Sequence, residues 1–302
     1  MLETVFIKPL SGWLVVDKPL ALSSAQVVGI IKKKLSSIQG SRVKIGHTGT
    51  LDPLATGILP LAIGEATKLS QFFLDSYKNY DFTIAFGNKT DTGDAAGSVI
   101  ETSSIMPSQS EIEQVVLRFL GAQKQIPPKY SALKVSGKRA YDLARNNIDF
   151  KLEKREITIK SLCLVGIDQQ NKQAHFSATC SKGTYIRTLG EDIAEACGSF
   201  GHLSVLRRTK VGFFSLNHAI LPDICEKLVY KSLLNITDPL NGISGVHISD
   251  AQEKSLRFGQ SILWQQDKTV DHIFPAFNAD RQIVALVVYK DGYIKPKRIF
   301  NL

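Results

Sequence analysis

The chain has 302 residues, 43% hydrophobic and 22% charged, a balance that excludes an extended disordered chain and suits one large domain with a smaller companion. No apolar run approaches the ~20 residues that span a bilayer. The opening MLETVFIKPLSGWLVV also lacks the charged, apolar, then small-residue order of a secretory signal, so a cytoplasmic protein with no membrane partner is expected. Lysine and arginine number 37 against 28 acidic residues, a net charge of +9, which favours a polyanionic partner unless the charge serves solubility alone.

In chain order, WLVVDKP reads as a short strand ended by Pro19. Ser23 with Gln26 makes a capping box, and Val27, Val28, Ile31 and Leu35 form one helical stripe. Lys32, Lys33 and Lys34 fall near the expected helix end, where the dipole favours cations. Tyr80, Phe82, Ile84 and Phe86 alternate with Asp81, Thr83 and Ala85, the pattern of a half-buried strand. A second capping box, Ser108 with Glu111, opens a helix with the stripe Ile112, Val115, Val116 and Phe119, stopped at Gly121.

Residues 122–140, AQKQIPPKYSALKVSGKRA, carry two prolines, five basic residues and no acidic one. No period survives there, so a long basic loop leading into a short helix through Leu143 is expected, and such loops are usually functional or disordered. Strands are expected near 156–167 and 175–180, and a helix over about 184–197, capped by Thr184. From 246 to 302 short strand-like runs, SILW, IVALVVY and KRIF, suggest a separate small β-rich domain after a catalytic body over 1–242. Cys163, Cys180, Cys197 and Cys225 form no C-x-x-C pair, and the six histidines are scattered. No metal site is therefore supported, and the cysteines read as reduced, mostly buried fillers.

The segment KIGHTGTLDPLATGILPLAIGEATKL, residues 44–69, holds one formal charge between Lys44 and Glu65, that of Asp52. It should begin as a strand and become a tight loop around Gly46, Gly49 and Gly57. Pro53 keeps Asp52 out of the α region. The flanking Leu51, Leu54 and Ala55 should exclude water, so a cation is expected nearby to compensate the carboxylate. An aspartate before proline can equally serve only to staple the turn, and the glycine spacing fits neither a P-loop nor a dinucleotide fingerprint.

GHTGTLDPLATG closely resembles the signature of the TruB family of tRNA pseudouridine synthases. GWLVVDKP (12–19), KNYDFTIAFGNKTDTGDAAG (78–97), PPKYSALKVSGKRAY (127–141), SKGTYIRTLGEDI (181–193) and GHLSVLRRTKVGFF (201–214) follow in the family's order. The resemblance covers roughly the first 215 residues well and the tail weakly. It implies an α+β fold: a mixed, mainly antiparallel sheet flanked by helices and loops, with a small C-terminal PUA-like β-rich domain. It also implies isomerisation of uridine 55 in the TΨC loop of tRNA, with no cofactor, no metal and no obligatory protein partner.

Residue by residue, the resemblance makes Asp52 the nucleophile. It either attacks ribose C1′ or takes a ribose proton to give a glycal. Tyr80 would stack on the uracil and handle its protons; without the family match it reads as a core tyrosine. Arg187 would pair with Asp52, and its place in the first turn of a helix is itself unfavourable by ~0.3–1 kcal/mol without such a partner. His47 would contact the substrate loop, and Tyr185 and Leu206 would line the uracil pocket, with Lys18 and Pro19 shaping it from behind. The insertion 122–145 would close over RNA, with Lys129, Lys134, Lys138 and Arg139 on phosphates. Asn147 stands where the family commonly has glycine.

Two other readings stay open: a tRNA-folding factor that needs no chemistry, and a guide-RNA-dependent relative. The basic insertion weighs against the second.

Overall fold

The computed structural model describes residues 9–146, 148–264 and 273–302, so Asn147 lies outside the described residues. The first strand is β1 (Gly12–Lys18), in which Trp13, Leu14, Val15 and Val16 are all fully buried, as befits a strand covered on both faces. The Ser23–Gln26 capping box opens α1 (Ser24–Gln39), which buries Val27, Ile31 and Leu35. Helix α1 runs past the lysines to a left-handed Gly40, so Lys32, Lys33 and Lys34 lie within it and not in its last turn. Lys34 instead donates to the Ile224 carbonyl.

The glycine-rich segment starts as β2 (Ile45–His47) and turns, but it does not remain a loop. Beyond Asp52 it becomes β3 (Ala55–Ile63), buried at every position except Thr56. A continuous apolar run of this kind marks an interior strand, which alternation cannot reveal. A 3-10 turn over Gly64–Leu69 and the short α2 (Ser70–Leu74) then lead into β4 (Lys78–Phe86), whose Phe82, Ile84 and Phe86 are buried as their spacing demands. A hairpin of β5 (Asn88–Thr90) and β6 (Val99–Thr102) follows, and then α3 (Gln109–Val116), with the Ser108–Glu111 capping box formed.

Part of the expected basic loop is a strand, β7 (Gly121–Gln125). The rest holds only the two-residue strands β8 (Lys134–Val135) and β9 (Lys138–Arg139) before α4 (Ala140–Arg145). The long strands β10 (Arg155–Asp168) and β11 (Gln173–Cys180) and helix α5 (Ile186–Ala196) match the expected elements, and strand β12 (Gly201–Val211) follows them without having been expected. β7 was missed because its ladder partner is β10, a long-range pairing that its own GAQKQ does not advertise.

With β13 (Phe214–Ser215) and β14 (Ala219–Ile220), these strands form one ten-stranded sheet. Its order is β14–β1–β3–β12–β4–β11–β10–β7, with β2 on β3 and β13 on β12. The β1–β14 and β3–β12 pairs are parallel and the others antiparallel, so the sheet is mixed and mainly antiparallel. The central strands β12, β4 and β11 pack against α5 and α3 through Phe82, Phe176, Leu189, Ile193 and Leu203.

After α6 (Glu226–Lys231), the tail forms a second, curled sheet of β15 (Val246–His247), β16 (Ile262–Leu263), β17 (Phe274–Phe277), β18 (Ile283–Lys290) and β19 (Tyr293–Ile299). It carries α7 (Asp250–Arg257), whose Ser249–Gln252 capping box had not been read from the sequence. This sheet is seated on the body, since Ile283, Leu286 and Phe300 share a cluster with Trp13, Phe73 and Phe214. Lys68 Nζ joins the two by donating to both Glu65 (2.6 Å) and the Ile299 carbonyl (2.7 Å). Of the cysteines only Cys180 is buried; Cys163 and Cys225 are exposed, which corrects their reading as mostly buried fillers. Among the described residues no helix is long and apolar enough to cross a membrane.

Gly57 is where β1, β3 and β12 meet, paired to Lys18 on one side and Arg208 on the other. Its φ is +102°, and a Cβ there would stand 2.1 Å from the Arg208 carbonyl oxygen. Gly57→Ala is expected to cost more than ~3 kcal/mol of stability, combining backbone strain with overpacking. Urea denaturation against the parent chain checks this.

Candidate active site

Asp52 sits on the turn between β2 and β3, and its backbone is fixed from both sides. Before it, Ser24 at the start of α1 takes the Leu51 N–H (2.8 Å) and donates to the Leu51 carbonyl (3.0 Å). After it, the Pro53 carbonyl accepts from the Ala21 N–H (2.9 Å) and from Lys18 Nζ (3.2 Å). Ala21 adopts φ +68°, a conformation costly for any residue with a side chain. The surrounding contacts hold it there and so aim its N–H at the turn. Lys18 is fully buried and also donates to the Pro19 and Leu22 carbonyls. Burial brings its pKa down to about 8 against the opposing pull of Asp52.

The side chain of Asp52 remains 41% exposed although Leu51 and Ala55 are buried. The expected dry carboxylate is thereby corrected: Pro53 and the turn direct it out of the core into a cavity, and its own neighbours do not cover it. The expected cation is present. Arg187 Nε lies 3.0 Å from Asp52 Oδ2, and Arg187 is itself only 5% exposed.

Arg187 reaches Asp52 because α5 begins directly behind the cavity. Thr184 does not cap the helix; it donates to the Ser181 carbonyl, and the cap position belongs to Tyr185. The buried Gln125 amide serves that end instead, accepting the Tyr185 N–H at 2.8 Å and donating to the Tyr185 carbonyl at 3.1 Å. Arg187 still lies in the first turn, where no acidic residue offsets the dipole. Its compensation is tertiary. Besides Asp52 it meets Asp94 Oδ2 at 3.9 Å and donates to the Thr92 carbonyl (2.7 Å) and the Tyr130 carbonyl (2.8 Å). Asp94 is oriented in turn by Thr92 Oγ1 (2.7 Å) and the Ala96 N–H (3.1 Å).

The cavity in front of Asp52 has a volume of about 560 Å³, within the ordinary range for a small-ligand site. Asp52, Tyr80, Tyr185, Arg187, Leu206 and Arg208 line it, and Ser131–Leu133 of the insertion form one wall. Tyr80 and Leu206 arrive from adjacent strands, β4 and β12. Burial pushes the phenols of Tyr80 and Tyr185 above their usual range, while the Arg208 charge draws Tyr80 back. Lys78 borders the same cavity, held by the Leu74 and Ser76 carbonyls, with its pKa brought down to about 8 by burial and then by Arg208.

The structure therefore brings Asp52, Tyr80, Tyr185, Arg187 and Leu206 onto one wall system, and leaves other expected residues off it. His47 ends β2 away from the lining; its Nδ1 accepts the Gly49 N–H at 3.3 Å, and burial followed by the Arg208 charge lowers its pKa. Lys129, Lys134, Lys138 and Arg139 are all exposed and do not line the cavity. Sequence reasoning missed Ser24, Asp94, Gln125 and Arg208. Asp94 and Arg208 each lay within a segment that carries the resemblance, 78–97 and 201–214, whereas Ser24 and Gln125 act through backbone partners distant in the chain.

Three comparisons place the chain among known proteins. The profile described as TruB family pseudouridylate synthase (N terminal domain) matches residues 33–186. The tRNA pseudouridine synthase B of Rickettsia bellii (strain OSU 85-389) is 43% identical over 296 residues, covering 97% of this chain and 99% of that one. That of Rickettsia felis (strain ATCC VR-1525 / URRWXCal2) is 45% identical over 262 residues, covering 85% and 76%. Among solved structures, a Cbf5-Nop10-Gar1 complex matches with a TM-score of 0.72 at 22% identity, over 95% of this chain and 84% of that chain. An H/ACA RNP bound to a substrate RNA containing 2'-deoxyuridine matches with a TM-score of 0.71 at 21% identity, over 96% and 85%. At that identity the structural likeness establishes the fold alone.

One turn beyond Arg187, Glu191 lies against Gly93 and is partly buried. Burial raises its pKa to about 7, with Lys89 opposing and Asp192 and Glu195 adding. A carboxylate raised from its ordinary 4.5 binds its proton more tightly folded than unfolded. The stability it contributes is complete below pH 4.5 and is lost as the pH rises through 7. Glu191→Gln should therefore flatten the fall in denaturation midpoint between pH 5 and 8 and stabilise the protein at pH 8, as a pH series of urea melts would show.

Proposed function

The chain belongs to the TruB family of pseudouridylate synthases, and from that premise we propose that it isomerises a uridine of tRNA to pseudouridine, at position 55 in the TΨC loop. The observation that carries this reading is the Asp52–Arg187 pair, 3.0 Å apart on the wall of a cavity shared with Tyr80. The bond between ribose C1′ and uracil N1 breaks, the base turns, and a bond from C1′ to C5 forms. Positive character develops at C1′ as the base departs, which an ionised carboxylate is suited to meet. Arg187 holds the Asp52 carboxylate in place on the cavity wall. Nothing in the rearrangement calls for a redox group or a metal.

A uridine within a folded RNA loop must leave its stack to reach Asp52, at a cost of a few kcal/mol. Stacking on Tyr80 against Leu206 and Tyr185 offsets that cost, as do phosphate contacts from Lys129, Lys134, Lys138 and Arg139. His47 meets the RNA loop at the rim. Residues 1–242 supply the catalytic unit, and the curled sheet from 246 onward acts as a PUA-like surface for the rest of the tRNA. The insertion, with Tyr130 already tied to Arg187, closes over the T-arm in place of a guide RNA; cytoplasmic action without an obligatory protein partner belongs to the same proposal.

The test is Asp52→Asn on unmodified tRNA transcript with the altered nucleotide mapped. Binding is expected to persist while isomerisation falls by roughly 10³-fold or more; retained turnover rejects Asp52, and a requirement for added guide RNA rejects the stand-alone reading. The persisting binding would also fit a role in tRNA folding. A second measurement concerns the insertion: replacing Lys134, Lys138 and Arg139 by alanine should reduce the magnitude of the slope of log affinity against log salt by ~2–3. An unchanged slope would remove these residues from the RNA contact.

A further inference from the structure

Arg208 is, after Trp13, the largest fully buried side chain, at 1% exposure. An arginine so buried ordinarily meets a carboxylate. Here the partners are backbone carbonyls: Ile58 to Nε at 2.9 Å, Gly49 to Nη2 at 3.0 Å and Thr50 to Nη1 at 3.4 Å. Two of these belong to the turn that carries Asp52. Among the described residues no carboxylate forms an ion pair with it, and its charge faces the phenol of Tyr80. The ladder explains why. Arg208 on β12 and Tyr80 on β4 are directly paired, so their side chains leave the same face of the sheet, and both border the cavity.

We propose that Arg208 is a positioning residue for the isomerisation, acting as the counter-cation of Tyr80. The inference rests on the functional reading above. Moving the glycosidic bond from N1 to C5 leaves N1 with an electron pair that must gain a proton and C5 with a hydrogen it must lose. Tyr80 balances both by giving its phenolic proton to the departing base and later taking the C5 proton, whose bonding pair restores the C5–C6 double bond. Between the two transfers Tyr80 is a phenolate in a partly buried site. The other titratable groups around it are Cys180 on β11 and Asp52 on the turn, both of which disfavour the anion, while Arg208 favours it. Further from the phenol, Lys78 on the same strand and His47 on β2 both feel the Arg208 charge. Because Arg208 also grips the Gly49 and Thr50 carbonyls, one guanidinium holds the nucleophile's turn and the phenol in a common frame.

The test separates charge from scaffolding by single-turnover rates on tRNA transcript with bound tRNA measured in parallel. Arg208→Gln should lower turnover about 10-fold or more, the equivalent of one pKa unit at Tyr80, with tRNA binding retained. Replacing Tyr80 by 3,5-difluorotyrosine, a more acidic phenol of nearly the same shape, should recover most of that loss in Arg208→Gln. A fluorinated phenol that recovers nothing, or Arg208→Gln turnover equal to the parent, overturns the assignment. If Arg208→Gln does not fold, Arg208→Lys serves: it keeps the positive charge and loses the fork, so turnover should stay within a few-fold of the parent, and a loss of about 10-fold or more would overturn the proposal by assigning Arg208 to scaffolding. A parent protein that leaves uridine unchanged would instead sink the functional reading itself.

Discussion

The constraint on which the site depends is the tethering of one buried guanidinium by four groups from three parts of the chain. Arg187 joins Asp52 of the β2–β3 turn, Asp94 and Thr92 of the β5–β6 hairpin, and Tyr130 of the insertion. A cation in the first turn of a helix is unfavourable where it stands, and burial adds a desolvation penalty. Those costs are offset only when all the partners are in place, so the separate segments are drawn to one point. A pair with one buried and one half-exposed partner adds little net stability; what it supplies is geometry.

The same logic runs through the other buried cations. Lys18, Lys78 and Arg208 are each satisfied by backbone carbonyls rather than by a carboxylate partner. Carbonyls satisfy donors without cancelling charge, so the cavity keeps a positive floor beneath the Asp52 carboxylate. A chain with net charge +9 thus divides its excess between exposed residues such as Lys134 and Arg139 and a few internal positions where low exposure strengthens each charge. The exposed set suits a polyanion's phosphates, and the internal set suits negative charge that develops during reaction.

Much of the fold was legible because the sequence repeats its signals locally. The Ser23–Gln26 and Ser108–Glu111 boxes each involve residues within a few positions of one another, and both formed as read; the strand from Tyr80 to Phe86 formed too, but Thr83 on its second face is also buried. The failures share the opposite property. β3 was read as loop because a strand covered on both faces shows no alternation. β7 was hidden because its partner is β10, and Thr184 looked like a cap because the true satisfier of that helix end, Gln125, lies 60 positions away in the chain. The exposed Cys163 was misread for the same reason, since an apolar neighbour in sequence is not a neighbour in space.

Sequence by itself determined the isolated charge of Asp52 before proline, the segments that resemble the TruB family and the expectation that a cation must lie close to that carboxylate. These are matters of residue type and short-range order. Only the tertiary structure decided which cation it is, that Asp94 and Tyr130 share it, that the carboxylate faces an open cavity, and that Arg208 stands opposite Tyr80. Those relations depend on strand order and register, with β12 inserted between β3 and β4. Register is fixed by the burial of both sheet faces at once, a property of the assembled core that no single segment carries.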